Sequence, residues 1–107
     1  MSPTNRYTLR FAPEVISHLE SIDIKYNRLI RNTLDEQLSF EPDVGKKNRK
    51  LLEQPAPYDA AWELRFGPNN RFRVFYEVNE EEMEVWILAI GIKEGNCLFI
   101  NGEEIEL

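Results

Sequence analysis

The sequence predicts an α+β fold: an N-terminal strand, a helical hairpin, then an antiparallel β-meander packed on the helices. Three observations carry that expectation. Residues 6–11 alternate polar and apolar side chains, and apolar residues then recur at helical spacing from Val15 to Leu38. From Ala61 onward the pattern returns to short strands punctuated by turn residues.

In the first strand Tyr7, Leu9 and Phe11 share one face. Pro13 suits the first position of a helix, and Glu14 complements the positive end of its dipole. Val15, Leu19 and Ile22 follow at helical spacing, and Tyr26, Leu29, Ile30, Leu34 and Leu38 continue the stripe. We read two helices, at about 13–22 and 24–40, with Ser21 or Asp23 capping the second. One bent helix fits the same periodicity. Phe40-Glu41-Pro42 stops the run, and residues 41–61, marked by Pro42, Gly45, Pro55 and Pro57, read as a linker within the domain. Strands are expected at about 61–67, 71–78 and 83–92, the first two joined by Gly67-Pro68-Asn69-Asn70. The third carries Val85, Trp86, Ile87, Leu88 and Ile90 on both parities, which predicts a central strand covered on both faces. Asn101-Gly102, between Cys97–Ile100 and residues 103–107, is a two-residue hairpin signal.

At 107 residues the chain is expected to form one domain spanning 1–107, large enough for a core without disulfide or metal. Its 42% apolar and 30% charged residues are those of a soluble globular protein, which argues against disorder. No apolar run approaches the ~20 residues of a membrane-spanning helix, and residues 1–6 precede no apolar signal core, so a cytoplasmic setting away from the membrane is expected. Cys97 and His18 stand alone and cannot form a metal site; Cys97 reads as a small strand hydrophobe and His18 as a helix surface residue, with no cofactor expected. The net charge of -6 is unevenly spread. Residues 1–76 hold twelve of the thirteen Lys/Arg against ten Asp/Glu, and residues 77–107 hold only Lys93 against nine Glu. The acidity belongs to the C-terminal third, which permits a local basic site elsewhere.

Within the hairpin of residues 62–76, Arg65, Arg71 and Arg73 lie among large apolar side chains. A guanidinium is a planar, permanently charged donor fork suited to phosphate. Alternation puts Arg65 opposite Trp62, Leu64 and Phe66, and puts Arg71 and Arg73 opposite Phe72, Val74 and Tyr76. If both apolar sets meet the helices, the arginines share the other, open face, with Lys93 at the end of the central strand. Lys46, Lys47, Arg49 and Lys50 form a second basic group in the linker, placed to follow a phosphate backbone. The bland readings stand beside these: a solvated loop for the lysines, and for the arginines stems covering the sheet or pairing with Glu63 and Glu77. Residues 80–84 read as an acidic, solvated turn. No Ser/His/Asp set, Gly-rich phosphate loop or His/carboxylate cluster is present. An enzyme built here would work with cations and Tyr58 or Tyr76, which suits RNA cleavage, where the 2′-hydroxyl supplies the nucleophile and the protein stabilises phosphorane charge.

The strand–helix–helix start, the Lys/Arg-rich loop, Trp62-Glu-Leu-Arg-Phe-Gly67, Arg71-Phe-Arg-Val-Phe-Tyr76, and Val85 through Ile90-Gly91-Ile92-Lys93 together resemble the RelE/ParE superfamily of type II toxins. The resemblance covers most of the chain and implies a RelE-like fold and a cognate antitoxin protein as partner. It implies one of two targets. A RelE-like toxin is an mRNA interferase, an endoribonuclease acting on mRNA at the ribosome and inhibiting translation; a ParE-like toxin inhibits DNA gyrase. A non-catalytic family member acting only through antitoxin binding is the third reading. Carried over by position, Arg73 matches the arginine that contacts the scissile phosphate. Arg65 and Lys93 join it as catalytic candidates, and Lys46, Lys47, Arg49, Lys50 and Arg71 are the candidate RNA-binding cations. Two departures stand out: the family's catalytic tyrosine falls at Phe99, which has no hydroxyl, and the C-terminal tail is acidic.

Overall fold

The structure, a computed structural model, describes residues 6–105. Residues 1–5, most of the stretch read as lacking a signal core, and Glu106 and Leu107 of the acidic tail lie outside the described residues. The elements run β1 (Thr8–Phe11), α1 (Val15–Glu20), a 3-10 turn (Ile24–Tyr26) leading into α2 (Asn27–Leu38), β2 (Arg49–Leu51), β3 (Trp62–Phe66), β4 (Phe72–Asn79), β5 (Glu84–Glu94), β6 (Cys97–Ile100) and β7 (Glu103–Ile105). This is the α+β arrangement expected, with helices on one face of the sheet. Both helices are shorter than their periodicity suggested. Asp23 caps the turn between them, its carboxylate accepting from the Lys25 N–H at 3.0 Å. A six-residue α1 is too short to persist alone, so burial of Val15 and His18 holds it.

Strands β2 to β7 form an antiparallel sheet in sequence order. The first strand joins it differently: β1 runs parallel to the first half of β5, Thr8 opposite Glu84 and Phe11 opposite Ile87. Strand β6 takes the second half of that edge, from Gly91 opposite Ile100 to Glu94 opposite Cys97. Between the two partners the β5 edge has a gap, and His18 fills it. The Ile90 N–H donates to His18 Nδ1 at 3.2 Å. His18 is therefore not the surface residue expected from the sequence; it is buried, with the edge of the Tyr58 ring 5.7 Å away between centroids. An orphan N–H at a break in the ladder required an acceptor from elsewhere in the chain.

A second irregularity decides which side chains face which way. Phe75 pairs with Ala89 but Tyr76 with Ile87, so Leu88 is an extra residue on β5. Val85 and Ile87 before the bulge and Ile90 and Ile92 after it belong to the helix-side core. Ala89 and Gly91 face the other way, and Lys93 follows their parity. Without the bulge, Lys93 would share the parity of Ile87 and turn toward the helices.

The helix-side core joins Val15, Ile22, Ile30, Leu34 and Leu38 to Leu64, Phe66, Phe72, Val74, Tyr76, Val85, Ile87 and Ile90. The reverse face is not open as expected. It carries a smaller core of Ala60, Phe75, Ala89, Leu98 and Ile100, with Leu52 and Ile105 against it. Residues 41–61 are likewise more than a linker. They contribute β2 at the sheet edge, Arg49 opposite Leu64 and Lys50 opposite Glu63.

Two side chains tie the segment after α2 from inside. The Arg49 guanidinium donates to the Glu41 carbonyl and, at 3.3 Å, to Gln37 Oε1. The Tyr76 hydroxyl donates to the Pro42 carbonyl at 2.7 Å. Replacing Tyr76 with phenylalanine leaves that buried carbonyl without its donor, and urea titration is expected to show a loss of about 1–2 kcal/mol.

Candidate functional site

The β3–β4 connection is Gly67 followed by a 3-10 turn, Pro68–Asn70. Gly67 has φ 84°, and an added Cβ would run into the Phe72 ring. Asn69 and Asn70 follow at φ 57° and 53°, the left-handed region that asparagine tolerates better than most residues. The turn aims the Asn70 carbonyl back at Arg73, whose Nε donates to it at 3.1 Å. Gly67→Ala combines backbone strain with a clash. A thermal melt is expected to report a loss of about 2–3 kcal/mol.

Arg65 and Arg73 are direct cross-strand partners on the reverse face, in a row that continues through Gly91 to Ile100. Arg73 is buried, and three contacts of Glu63 define its surroundings. Its Nη1 lies 3.6 Å from Glu63 Oε2, while Arg65 Nε donates to Glu63 Oε1 at 3.0 Å. Lys50 Nζ stands 4.0 Å from the same Oε1. Burial first, then the Arg65 charge, push the Arg73 pKa below its ordinary value, and Glu63 opposes both. An arginine so placed stays charged. A permanently charged guanidinium, partly stripped of water, gains from any anion that reaches it.

Pro68, Asn69, Arg71, Arg73, Lys93, Glu94 and Gly95 line a cavity of about 470 Å³ beside this turn. Three of the cations expected from the sequence thus converge there, although they come from a turn, a strand and the far end of another strand. The main chain fastens them, since the Lys93 N–H donates to the Arg71 carbonyl at 2.6 Å. Arg71 does not follow the alternation assigned to it. It closes the turn in a helical conformation before β4 begins, and its guanidinium lies over the Tyr26 ring, 5.6 Å from the centroid. It holds the cavity's edge on the helix side.

The other expected site residues are placed less favourably. Arg49 is buried on the core side and engaged with Gln37 and Glu41, so it is not a free cation of the loop. The reason is register: opposite Leu64, it points into the protein. Lys46 and Lys47 are exposed, Lys46 lying 3.9 Å from Glu41. Arg65 is backed by Glu63 and does not line the cavity. Tyr76 is fully buried beneath the opposite face, and burial holds its phenol far above the ordinary value. Tyr58 sits beside His18, outside the cavity lining. Phe99 pairs with Ile92 and so faces away from Arg73 and Gly91. Among the described residues no group of three or more His, Cys, Asp or Glu is placed to hold a metal ion, and no helix is long and apolar enough to cross a membrane.

Sequence reasoning named Glu63 only as a pairing partner and missed the Asn70 carbonyl and the Leu88 bulge. A signal for the first was available: Glu63 and Arg65 are two apart on one strand and must share a face.

Fold and site together define an α+β protein with a cavity at one end of its sheet, lined by Arg71, Arg73 and Lys93 together with Glu94. Comparison with solved structures agrees. The chain is similar to a chain of the toxin–antitoxin complex RelBE2 from Mycobacterium tuberculosis, with a TM-score of 0.69 and 21% identity over 87% of this chain and 98% of that one. No family model matches the sequence. No curated protein matches it either.

Proposed function

We propose that the chain is the toxin of a type II toxin–antitoxin pair and that the cavity of Arg71, Arg73 and Lys93 receives the phosphate backbone of mRNA. The observation that carries this reading is the convergence of those three cations on one cavity, with Arg73 already fixed by the Asn70 carbonyl and faced by the Glu63 carboxylate. The fold shared with a toxin–antitoxin complex supports the toxin assignment and a partner antitoxin.

In the RelE-like form of this reading the protein is a ribosome-dependent endonuclease that inhibits translation. A scissile phosphate in the cavity meets the Arg73 fork, with Arg71 and Lys93 beside it, while Arg65 adds positive potential from behind. The substrate's 2′-oxygen attacks phosphorus, the 5′-oxygen leaves, and the three cations stabilise the charge gathered on the phosphoryl oxygens. Lys93 is the cavity cation able to pass a proton, and a base for the 2′-hydroxyl is left to the ribosome. Lys46, Lys47 and Lys50 add positive potential toward the strand without contacting the reacting atoms.

A second reading is favoured by the positions of Phe99, Tyr58 and Tyr76, none of which offers a hydroxyl to the cavity. It is a toxin acting by binding alone, as an inhibitor of DNA gyrase, or a protein whose activity is limited to antitoxin capture. Induction of the chain without its partner distinguishes them. The endonuclease reading expects growth arrest with mRNAs cut at positions mapped by end sequencing. Arrest with intact mRNAs and DNA damage indicates gyrase, and normal growth with antitoxin binding indicates capture.

A further inference from the structure

We propose that Glu63 is a built-in counter-anion that sets how tightly the cavity holds an oxyanion. The inference rests on the cavity's assignment as the anion site. Glu63 lies behind the cavity and does not line it; its side chain is only 5% exposed, with Lys50, Arg65 and Arg73 around it. Arg65 and Arg73 are directly opposed across the β3–β4 ladder, where like charges repel. A single carboxylate on the same face, two residues from Arg65, offsets that repulsion and leaves the group net positive.

Its two oxygens do different work. Oε1 accepts a true hydrogen bond from Arg65 Nε at 3.0 Å. Oε2 is 3.6 Å from Arg73 Nη1, beyond hydrogen-bond length, so it acts on Arg73 through charge. The Arg73 fork is biased by Glu63 but not consumed by it. Its position is set independently by the Asn70 carbonyl, at 3.1 Å from Nε. An anion in the cavity and the Glu63 carboxylate, which is outside the cavity lining, thus draw on the same guanidinium. Each weakens the other's hold, because both are negative and the site is partly desolvated.

The consequence is an opposition between stability and binding. Glu63→Gln keeps an oxygen acceptor for Arg65 and removes the charge. Inorganic sulfate is the probe, its affinity read by titration calorimetry at low ionic strength and the fold by thermal melting. The expected result is sulfate bound about fivefold more tightly by E63Q than by the wild type, with a melting temperature lower by about 5 °C. A merely structural glutamate would lower both. Glu63→Asp, which retains the charge but withdraws it by one methylene, is expected to tighten sulfate binding by about twofold; it gives the same sign should E63Q fail to fold. Binding equal to or weaker than that of the wild type, in whichever variant folds, overturns the proposal. Arg73→Ala separates the two possible failures. Sulfate binding lost in R73A but not tightened by the Glu63 changes leaves the site standing and removes Glu63's role. No sulfate binding by the wild type removes the site itself, and this inference with it.

Discussion

Arg73→Ala is expected to reduce the activity of the induced chain on the order of 100-fold, because the residue supplies the pre-positioned fork of the cavity. Its Nε is fixed by the Asn70 carbonyl and its Nη1 faces Glu63, so little of its ordering remains to be done when an anion arrives. Arg73→Lys keeps the charge and loses the fork, and a loss of about tenfold is expected. Lys47→Ala, at an exposed loop position, should change activity by less than about twofold. Growth curves after induction, with protein levels matched, read all three. The alanine variant still has Arg65 beside Glu63, so the carboxylate is not left unpaired, and a stability loss of about 1–2 kcal/mol is expected. A folded R73A that arrests growth like the wild type would remove the residue from the mechanism.

The second large effect falls on stability. His18→Leu removes the acceptor of the buried Ile90 N–H at the gap between β1 and β6. The unsatisfied donor and the lost ring contacts are expected to cost about 3 kcal/mol in urea titration. The same bond makes the wild type sensitive to acid. Nδ1 can accept only while it carries no proton, and burial lowers the His18 pKa below the ordinary value, against a smaller opposing effect of Glu14. The sign follows from that direction. The folded state binds this proton less readily than the unfolded chain, so His18's contribution is complete above the unfolded value of about 6.5. It declines as pH falls from there toward the lowered folded value. Tyr58, the other titratable group against the ring, stays neutral throughout, its phenol pushed up by burial first and then by Glu103 and Glu14. His18→Asn carries an oxygen near the place of Nδ1 and cannot titrate in this range. It should recover part of the stability and flatten the decline between about pH 7 and pH 5. An equally steep decline in H18N would assign the acid sensitivity to other groups.

Periodicity and turn residues made the order of elements legible. The Asn101-Gly102 turn is as expected, with φ 56° and 77°, and the helices' share of the core includes Val15, Ile22, Ile30, Leu34 and Leu38 of the expected stripe. The missing pieces were non-local. That β1 pairs with β5, and in parallel, follows from chain path rather than from residues 8–11. Strand β2 is three residues long and lies among lysines, which hid it from a pattern count. His18 gave no sign of burial, because the gap it fills exists only once β1 and β6 have taken the two halves of β5. The site divides in the same way. Arg65, Arg73 and Lys93 do share the reverse face, but Lys93 does so through the Leu88 bulge, since simple alternation from Val85 would have sent it to the other side. Arg49 was grouped with the loop lysines by proximity in sequence, and its register against Leu64 took it into the protein.

Nuclear magnetic resonance mapping of a short uncleavable RNA, 2′-deoxy at its central nucleotide, tests most directly whether the Arg71–Arg73–Lys93 cavity is where this protein meets nucleic acid. The expected result is shifts at Asn69 to Arg73 and at Lys93 to Gly95, with the Arg73 side-chain Nε–H among the largest, and their loss in Lys93→Gln. Shifts confined to Lys46 and Lys47, or spread without focus over the basic surface, would contradict the assignment.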